Sequence, residues 1–172
     1  MNIDRNRINK LADSIREALE LVTPPYEPKF AVKKLNGEIF YDLSADDIDA
    51  FIEKTGNQNF SIHLSDNKSL QRERFTLAHE LGHLFLHMGF VIDDSKWRQK
   101  EMVYYRDNTS SKDEYEANEF AAAFLMPKQE FIRTANDNLN NDLYNVQRLA
   151  DHFGVSIDAA TNRGKWLGLF QW

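Results

Sequence analysis

Cysteine is absent from the 172-residue sequence. A disulfide framework, a thiolate nucleophile and a cysteine-bound metal are therefore all excluded. Any metal that the protein binds must be held by histidine and carboxylate side chains. The absence also fits a cytoplasmic protein, and we expect the chain to reside in that compartment.

The sequence also lacks an excess of positive charge and a long hydrophobic run. It has 21 Lys and Arg against 27 Asp and Glu, which gives a net charge of −6. A chain this acidic has no overall attraction to nucleic-acid phosphates or anionic membranes, so we expect neither as a partner. The longest apolar run, Phe120–Met126, is far shorter than the roughly 18 residues that span a membrane. The first residues also lack the apolar segment of a signal peptide.

Glycine and proline are sparse, with seven and four residues, and they fall mostly between periodic segments. Together with the absence of internal repeats, this pattern predicts a single domain over residues 1–172. We divide it into an N-terminal helix and small sheet (1–65), central helices (66–136) and a C-terminal helical segment (137–172). The predicted fold class is α+β and mainly helical.

The first 65 residues predict a small antiparallel sheet. Asn36-Gly37 favours a tight turn, so Phe30–Leu35 and Glu38–Leu43 are predicted to form a hairpin around it. Residues 44–56 carry apolar residues at helical spacing and predict a short helix. Phe60–Leu64 alternates between apolar and polar residues and is predicted to add a third strand.

Apolar residues spaced three and four apart predict the helices. Proline and glycine residues at their ends mark where they stop. The last two predicted helices are joined by Gly154-Val155-Ser156 and have the spacing of a helix-turn-helix. Residues 90–111 have weak periodicity and are predicted to form a lid or binding loop. The predicted helices cover residues 4–22, 69–89, 113–125, 143–153 and 156–168. Pro127 suits the first turn of a further helix that follows residue 125.

His79-Glu80-Leu81-Gly82-His83 is an H-E-x-x-H motif inside the predicted central helix. Residues four apart share one face of a helix, so both imidazoles can reach one metal ion. Glu80, next to the first histidine, can reach a water molecule at that ion and act as its general base. The spacing therefore predicts a catalytic zinc site of a zincin-like metallopeptidase.

Such a site needs a third protein ligand. The extended metzincin pattern would require Gly and His where the chain has Leu86 and Gly89, so that class is excluded. His87 lies one further step along the helix, and three ligands on one straight helix could not converge on a tetrahedral ion. We therefore interpret His87 as supporting the ligands, facing the substrate or simply packed.

The acidic helix of residues 113–125 offers the third ligand. Glu116 shares a face with Phe120 and Ala123, an apolar stripe suited to packing on the central helix. Glu119, one turn later, is the second choice. Glu114 falls roughly 160° away from Glu116 around the helix and is predicted to face solvent.

Two segments resemble the ImmA/IrrE family of bacterial and phage zinc endopeptidases. They are Arg74–His87 (RFTLAHELGHLFLH) and Glu116–Pro127 (EANEFAAAFLMP). The C-terminal segment, with Phe153–Ser156 and Arg163, is also similar to that family. The resemblance covers roughly residues 60–172, whereas the first 60 residues match only loosely.

The resemblance implies one zinc ion on His79, His83 and Glu116, with Glu80 as the catalytic carboxylate. The sequence itself does not choose between zinc and manganese. It also implies a protein substrate. Members of the family typically cleave a helix-turn-helix repressor and so relieve repression of stress, phage or mobile-element genes.

Two non-catalytic functions are alternatives to a peptidase. The C-terminal pair of helices could bind DNA, but residues 142–172 contain three basic and three acidic side chains, which gives no positive excess for phosphate contacts. The zinc fold could also serve in a regulatory or toxin–antitoxin-like pair that acts by binding. Substitution of Glu80 distinguishes these functions from catalysis.

Two details of substrate handling are also predicted. An extended peptide could add to the sheet as a strand at Phe60–Leu64. The donor that stabilises the oxyanion would come from Tyr104, Tyr105, His87 or His152, which the sequence does not rank.

Overall fold

The computed structural model describes residues 4–44, 49–66, 68–98, 103–105 and 111–171. Within these ranges the protein is mainly helical, with a four-stranded sheet and a two-stranded ribbon. This confirms the predicted α+β class. None of the helices described is long and apolar enough to cross a bilayer.

The helices and strands follow one another as two helices, three strands, the central helix and then a mostly helical second half. The helices are α1 (Arg5–Ala18), α2 (Pro28–Lys34), α3 (Leu70–Gly82), α4 (Asp94–Arg98), α5 (Ser111–Leu125), α6 (Lys128–Asp137), α7 (Val146–Phe153) and α8 (Ile157–Trp166). The strands are β1 (Gly37–Leu43), β2 (Ala50–Lys54), β3 (Phe60–Ser65), β4 (Val103–Tyr105), β5 (Leu139–Asn140) and β6 (Leu143–Tyr144).

The predicted hairpin around Asn36 is wrong, because the segment before it is a helix. Pro28 begins α2, and Ala31 and Val32 are buried on its inner face. Asn36 does adopt the positive φ expected of it, 59°, but it does so just after the C-terminus of α2. Gly37 then starts β1 so close to the Phe60 ring that no side chain would fit there. The Asn-Gly pair therefore ends a helix instead of turning a hairpin.

The main sheet is mixed, with strand order β1-β3-β2-β4. Strand β1 runs parallel to β3, whereas β2 is antiparallel to both β3 and β4. The helix predicted over residues 44–56 is wrong where the chain is described: Ala50–Lys54 is a strand that buries Ala50 and Ile52. Residues 45–48 lie outside the described residues. Strand β3 confirms the prediction at Phe60–Leu64.

Strand β3 is internal, between β1 and β2. The prediction that a peptide adds as a strand at Phe60–Leu64 is therefore wrong, because both hydrogen-bonding edges of β3 are already paired. In the described part of the sheet, the outer strands are β1 and β4. The predicted loop over residues 90–111 contains α4 and β4, and its remainder lies partly outside the described residues.

The central helix begins and ends in two different ways. The Ser69 side chain accepts a hydrogen bond from the Arg72 amide and caps the N-terminus of α3. At the other end, His83–His87 forms a π-helical turn, in which the Met88 amide bonds to the His83 carbonyl at 2.9 Å. Such turns are rare in proteins generally, but they occur often at functional sites.

Helices α3 and α5 approach most closely at Gly82. A Cβ built on Gly82 would lie 3.0 Å from Cα of Ala117 and 3.2 Å from Cβ of Phe120. The neighbouring atom of Ala117 is backbone, so it cannot rotate away. A glycine inside a helix costs about 1 kcal/mol relative to alanine, and here this close packing explains it.

We expect Gly82→Val to destabilise the protein by about 1–3 kcal/mol, because the added methyl groups force α3 and α5 apart. Thermal or denaturant unfolding measures this effect. Gly56→Val is the control, because a Cβ at Gly56 would make only ordinary contacts with the Asn59 side chain, at 3.4–3.8 Å. Unchanged stability of Gly82→Val would contradict the close packing.

The C-terminus of α5 is held by two buried arginines from distant helices. Arg16 of α1 donates to the carbonyls of Ala123 and Phe124 at 2.7 and 3.0 Å. Arg163 of α8 donates through Nε to the Met126 carbonyl at 3.0 Å. Both guanidinium groups thus satisfy carbonyls that a helix end leaves without partners.

The predicted helix-turn-helix-like segment is present as α7 and α8. Asn145 and Ser156 cap these helices, and Gly154 between them has a φ of 62°, which glycine adopts without strain. Residues 143–144, which the sequence placed inside the first of these helices, instead form strand β6.

Candidate metal centre

The end of α3 carries the two motif histidines on its buried face. His79 and His83 are each 1% exposed. They are one helical turn apart, and their Nε2 atoms lie 3.0 Å from each other. The H-E-x-x-H spacing thus brings both imidazoles to one point in the structure.

Glu114 of α5 completes the group. Its Oε2 lies 3.3 Å from Nε2 of His79, and its Oε1 lies 3.2 Å from Nε2 of His83. The Glu114 side chain is 25% exposed and does not simply face solvent. The structure thus brings together His79, His83 and Glu114, and not the predicted third ligand Glu116.

Glu116 lies on the other side of the contact between α5 and α3. The closest approach of the helices is at Ala117, opposite Gly82. Glu114 lies roughly 60° from Ala117 around α5, whereas Glu116 lies roughly 100° away in the opposite direction. The choice of Glu116 rested on a stripe through Phe120 and Ala123. Phe120 does face Gly82, but the contact line continues from Phe120 to Ala117 and not to Glu116.

The donor separations fit a tetrahedral metal site. Metal–ligand distances of about 2.0–2.1 Å place two ligand atoms about 3.3 Å apart. The three separations among His79, His83 and Glu114 are 3.0, 3.3 and 3.2 Å. Two imidazoles and one carboxylate are the donor set of a catalytic zinc site that keeps a fourth position open.

The electrostatics of the group also favour a cation. Burial lowers the pKa of the His83 imidazole to about 4, because desolvation disfavours its charged form. His83 is therefore neutral near pH 7, as a metal ligand must be. The imidazoles of His79 and His83 hold the pKa of the Glu114 carboxyl well below its usual range, so Glu114 is ionised.

Residues 36–165 match the family model of the IrrE N-terminal-like domain, Peptidase M78. The chain belongs to this family. The resemblance stated from the two sequence segments is thereby confirmed, and the IrrE-like domain is of the ImmA/IrrE metallopeptidase type. No curated protein shows a significant match to the chain.

A solved structure of a Mycobacterium tuberculosis transcriptional regulator shares the fold. It aligns over 92% of this chain with a TM-score of 0.59 and 18% identity. The aligned region is 46% of the regulator's chain, so the present chain spans about half the length of that protein. At this identity the likeness concerns the fold alone.

A side chain of α5 orients the first histidine of the IrrE-like domain. Oδ1 of Asn118 lies 2.9 Å from Nδ1 of His79. This contact assigns the His79 proton to Nδ1 and leaves the Nε2 lone pair directed at the metal position. Asn118 follows Glu114 by one helical turn, so one face of α5 supplies both a ligand and an orienting group.

Glu80, the predicted general base, is 2% exposed. It lies in α3 next to His79, as the motif requires. A buried carboxylate beside two imidazoles that could hold a metal is suited to accept a proton from a water molecule at the site.

Glu119, the second choice for the third ligand, belongs to a structural network instead. Its Oε1 accepts hydrogen bonds from Asn9 at 2.7 Å and Arg163 at 3.1 Å. Arg5 lies 3.3 Å from its other oxygen. These contacts tie α1 and α8 to α5 and take Glu119 away from the metal centre.

The predicted oxyanion donors have different outcomes. His87 is 7% exposed, and its Nδ1 contacts Nδ1 of His83 at 2.9 Å. His152 lies on α7 beside Glu130, at 3.3 Å, and not among the metal-binding side chains. The side chains of Tyr104 and Tyr105 lie outside the described part of the structure.

A groove lies between three helices near the candidate site. It has a cavity volume of about 730 Å³, and residues of α3, α5 and α8 line it. Asn118, which contacts His79, is one of its wall residues, together with the exposed Tyr115. His79, His83 and Glu114 do not line it, so the groove meets the candidate site through Asn118. Sequence reasoning did not find it, because it depends on how three helices separated in sequence come together.

Proposed function

We propose that this protein is a zinc-dependent endopeptidase. The observation that carries the proposal is the convergence of His79, His83 and Glu114 on one point, with separations of 3.0–3.3 Å. Two imidazoles with one carboxylate favour zinc. Manganese, which prefers oxygen ligands, is the alternative metal.

His79, His83 and Glu114 would hold the zinc ion, which when bound activates water and polarises a carbonyl group. Glu80 accepts the proton that the attacking water loses. It then delivers that proton to the nitrogen of the leaving amine as the peptide bond breaks. Asn118 keeps His79 in the tautomer that binds the metal. The burial of Glu80 and both histidines limits competition from bulk water.

We further propose a helix-turn-helix transcriptional repressor as the substrate, as the ImmA/IrrE resemblance implies. The absence of cysteine fits a cytoplasmic site of action. Cleavage would relieve repression of stress, phage or mobile-element genes. The solved structure that shares the fold is a transcriptional regulator, which supports a role in gene control.

The protein is proposed to act on this partner without binding DNA itself. Arg163, one of three basic residues in the C-terminal segment, is 2% exposed and bonds to the Met126 carbonyl. Arg148 and Lys165 remain to oppose three exposed aspartates, Asp142, Asp151 and Asp158. Phosphate contacts need a positive excess, which this surface lacks.

Profiling of new protein N-termini tests the proposed function. Lysate of the source organism is incubated with zinc-loaded protein, with chelator-treated protein, and with chelator-treated protein to which zinc is restored. We expect new N-termini from a helix-turn-helix repressor in the first and third samples only. A repressor that binds the protein without being cut would instead favour the non-catalytic alternative. New N-termini that persist after chelation would exclude a metallopeptidase.

A further inference from the structure

His87 and Glu116 form a chain of contacts behind the ligand His83. Nδ1 of His87 lies 2.9 Å from Nδ1 of His83, and Nε2 of His87 lies 3.3 Å from Oε2 of Glu116. The His87 side chain is 8% exposed and that of Glu116 is 19% exposed. This series of contacts therefore runs from the buried metal centre toward the surface.

The position of the metal determines which ring nitrogen carries the proton in His83 and in His87. If Nε2 of His83 faces the metal, the proton of the neutral ring is on Nδ1, which must donate toward His87. Nδ1 of His87 then accepts, so the proton of His87 is on Nε2. That N–H in turn donates to the Glu116 carboxylate. Each donor thus has one acceptor. The Glu116 carboxylate favours this arrangement, because a carboxylate accepts hydrogen bonds and does not donate them.

The reverse arrangement is incompatible with metal binding. If the His87 proton were on Nδ1, His83 would have to accept it on Nδ1 and carry its own proton on Nε2. That proton would point at the position of the metal. The negative charge of Glu116 disfavours this state, because it would face the bare Nε2 lone pair of His87.

We propose that His87, fixed by Glu116, is a positioning residue that keeps His83 in its metal-binding tautomer. This inference rests on the proposed metal site. The π-helical turn begins at His83 and ends at His87, so both ends of the first contact belong to that turn. His83 would thus have the same kind of support from His87 that His79 has from Asn118.

A second metal ion is the competing use of these side chains. His87, Asp113 and Glu116 also place one donor atom each within 4.8 Å of one another. A metal there would take the Nε2 lone pair of His87 and move its proton to Nδ1, which breaks the contact with His83. Lys112 lies 3.5 Å from Glu116 and opposes a further cation. Metal stoichiometry therefore separates the two arrangements.

The first test measures zinc affinity by competition with a chromophoric chelator. We expect one zinc per chain in the unmodified protein and about 10- to 100-fold weaker binding in His87→Leu. His87→Asn keeps an acceptor near the Nδ1 position and is expected to recover most of the affinity. His152→Leu is the matched control, a histidine with a glutamate partner away from the centre, and is expected to bind normally.

The second test needs no substitution. Long-range proton–nitrogen NMR spectra of the zinc-loaded protein report which ring nitrogen of each histidine carries the proton. We expect the proton of His83 on Nδ1 and that of His87 on Nε2. A proton on Nδ1 of His87, two zinc ions per chain, or normal affinity of a folded His87→Leu would each overturn the inference. Failure of the unmodified protein to bind zinc would instead refute the proposed function.

Discussion

Glu114→Ala is expected to lose bound zinc, whereas Glu116→Ala is expected to keep it. Glu114 has both carboxylate oxygens within 3.3 Å of the two histidine Nε2 atoms, so its removal leaves only two protein ligands. Glu116 contacts His87 and lies away from the point where the His79, His83 and Glu114 donor atoms converge. Elemental analysis of the purified variants, without added metal and again after loading with zinc, measures the difference.

The expected losses of zinc affinity differ in size between the two variants. Removal of a ligand should exceed the roughly 10- to 100-fold loss of affinity that follows removal of a group behind the ligands. Glu116→Ala should fall inside that range, so it retains metal at saturating zinc. Both glutamates lie on α5, two residues apart, and each variant serves as the control for the other. Zinc retained by Glu114→Ala and lost by Glu116→Ala would show that Glu116 is the ligand.

Glu80→Gln is expected to reduce peptidase activity by about 10²- to 10⁴-fold, the range typical of a lost general base. Glutamine has nearly the same shape but cannot accept a proton at neutral pH. Metal content and unfolding temperature should stay unchanged, because Glu80 is not among the converging ligands. The measurement is kcat and KM on the repressor fragment identified by N-terminal profiling.

The control for Glu80→Gln is the zinc content of the same preparation. Reduced kcat with normal zinc and similar KM assigns Glu80 to proton transfer. Loss of zinc would make Glu80 a ligand, and unchanged kcat would assign the proton transfer to another group.

The histidine pair could be predicted because its geometry is local. Residues four apart in one helix share a face whatever the rest of the fold does, so His79 and His83 followed from their spacing. The third ligand is not local. Choosing between Glu114 and Glu116 requires the line along which α5 meets α3, and that line is set by the contact of Gly82 with Ala117.

The wrong secondary-structure predictions in the first third of the chain also arise because the outcome depends on contacts between distant residues. Residues 30–35 are compatible with helix or strand, and Asn36 can end a helix as readily as it can turn a hairpin. The order of strands in the sheet depends on long-range pairing, which placed β3 inside the sheet. The role of His87 also required the π-helical turn, which no sequence periodicity indicated.

The two arginines at the end of α5 have a consequence for biosynthesis. Arg163 reaches a carbonyl 37 residues earlier in the chain, and Arg16 reaches one 107 residues later. The helix that carries Glu114 therefore cannot acquire its final C-terminal partners until α8 has been translated. A nascent chain that ends before α8 would leave the Met126 carbonyl and the Glu119 carboxylate without the Arg163 guanidinium. The C-terminal end of α5 would then lack one of its two arginine contacts, so α5 is fully anchored only after the C-terminal segment has docked.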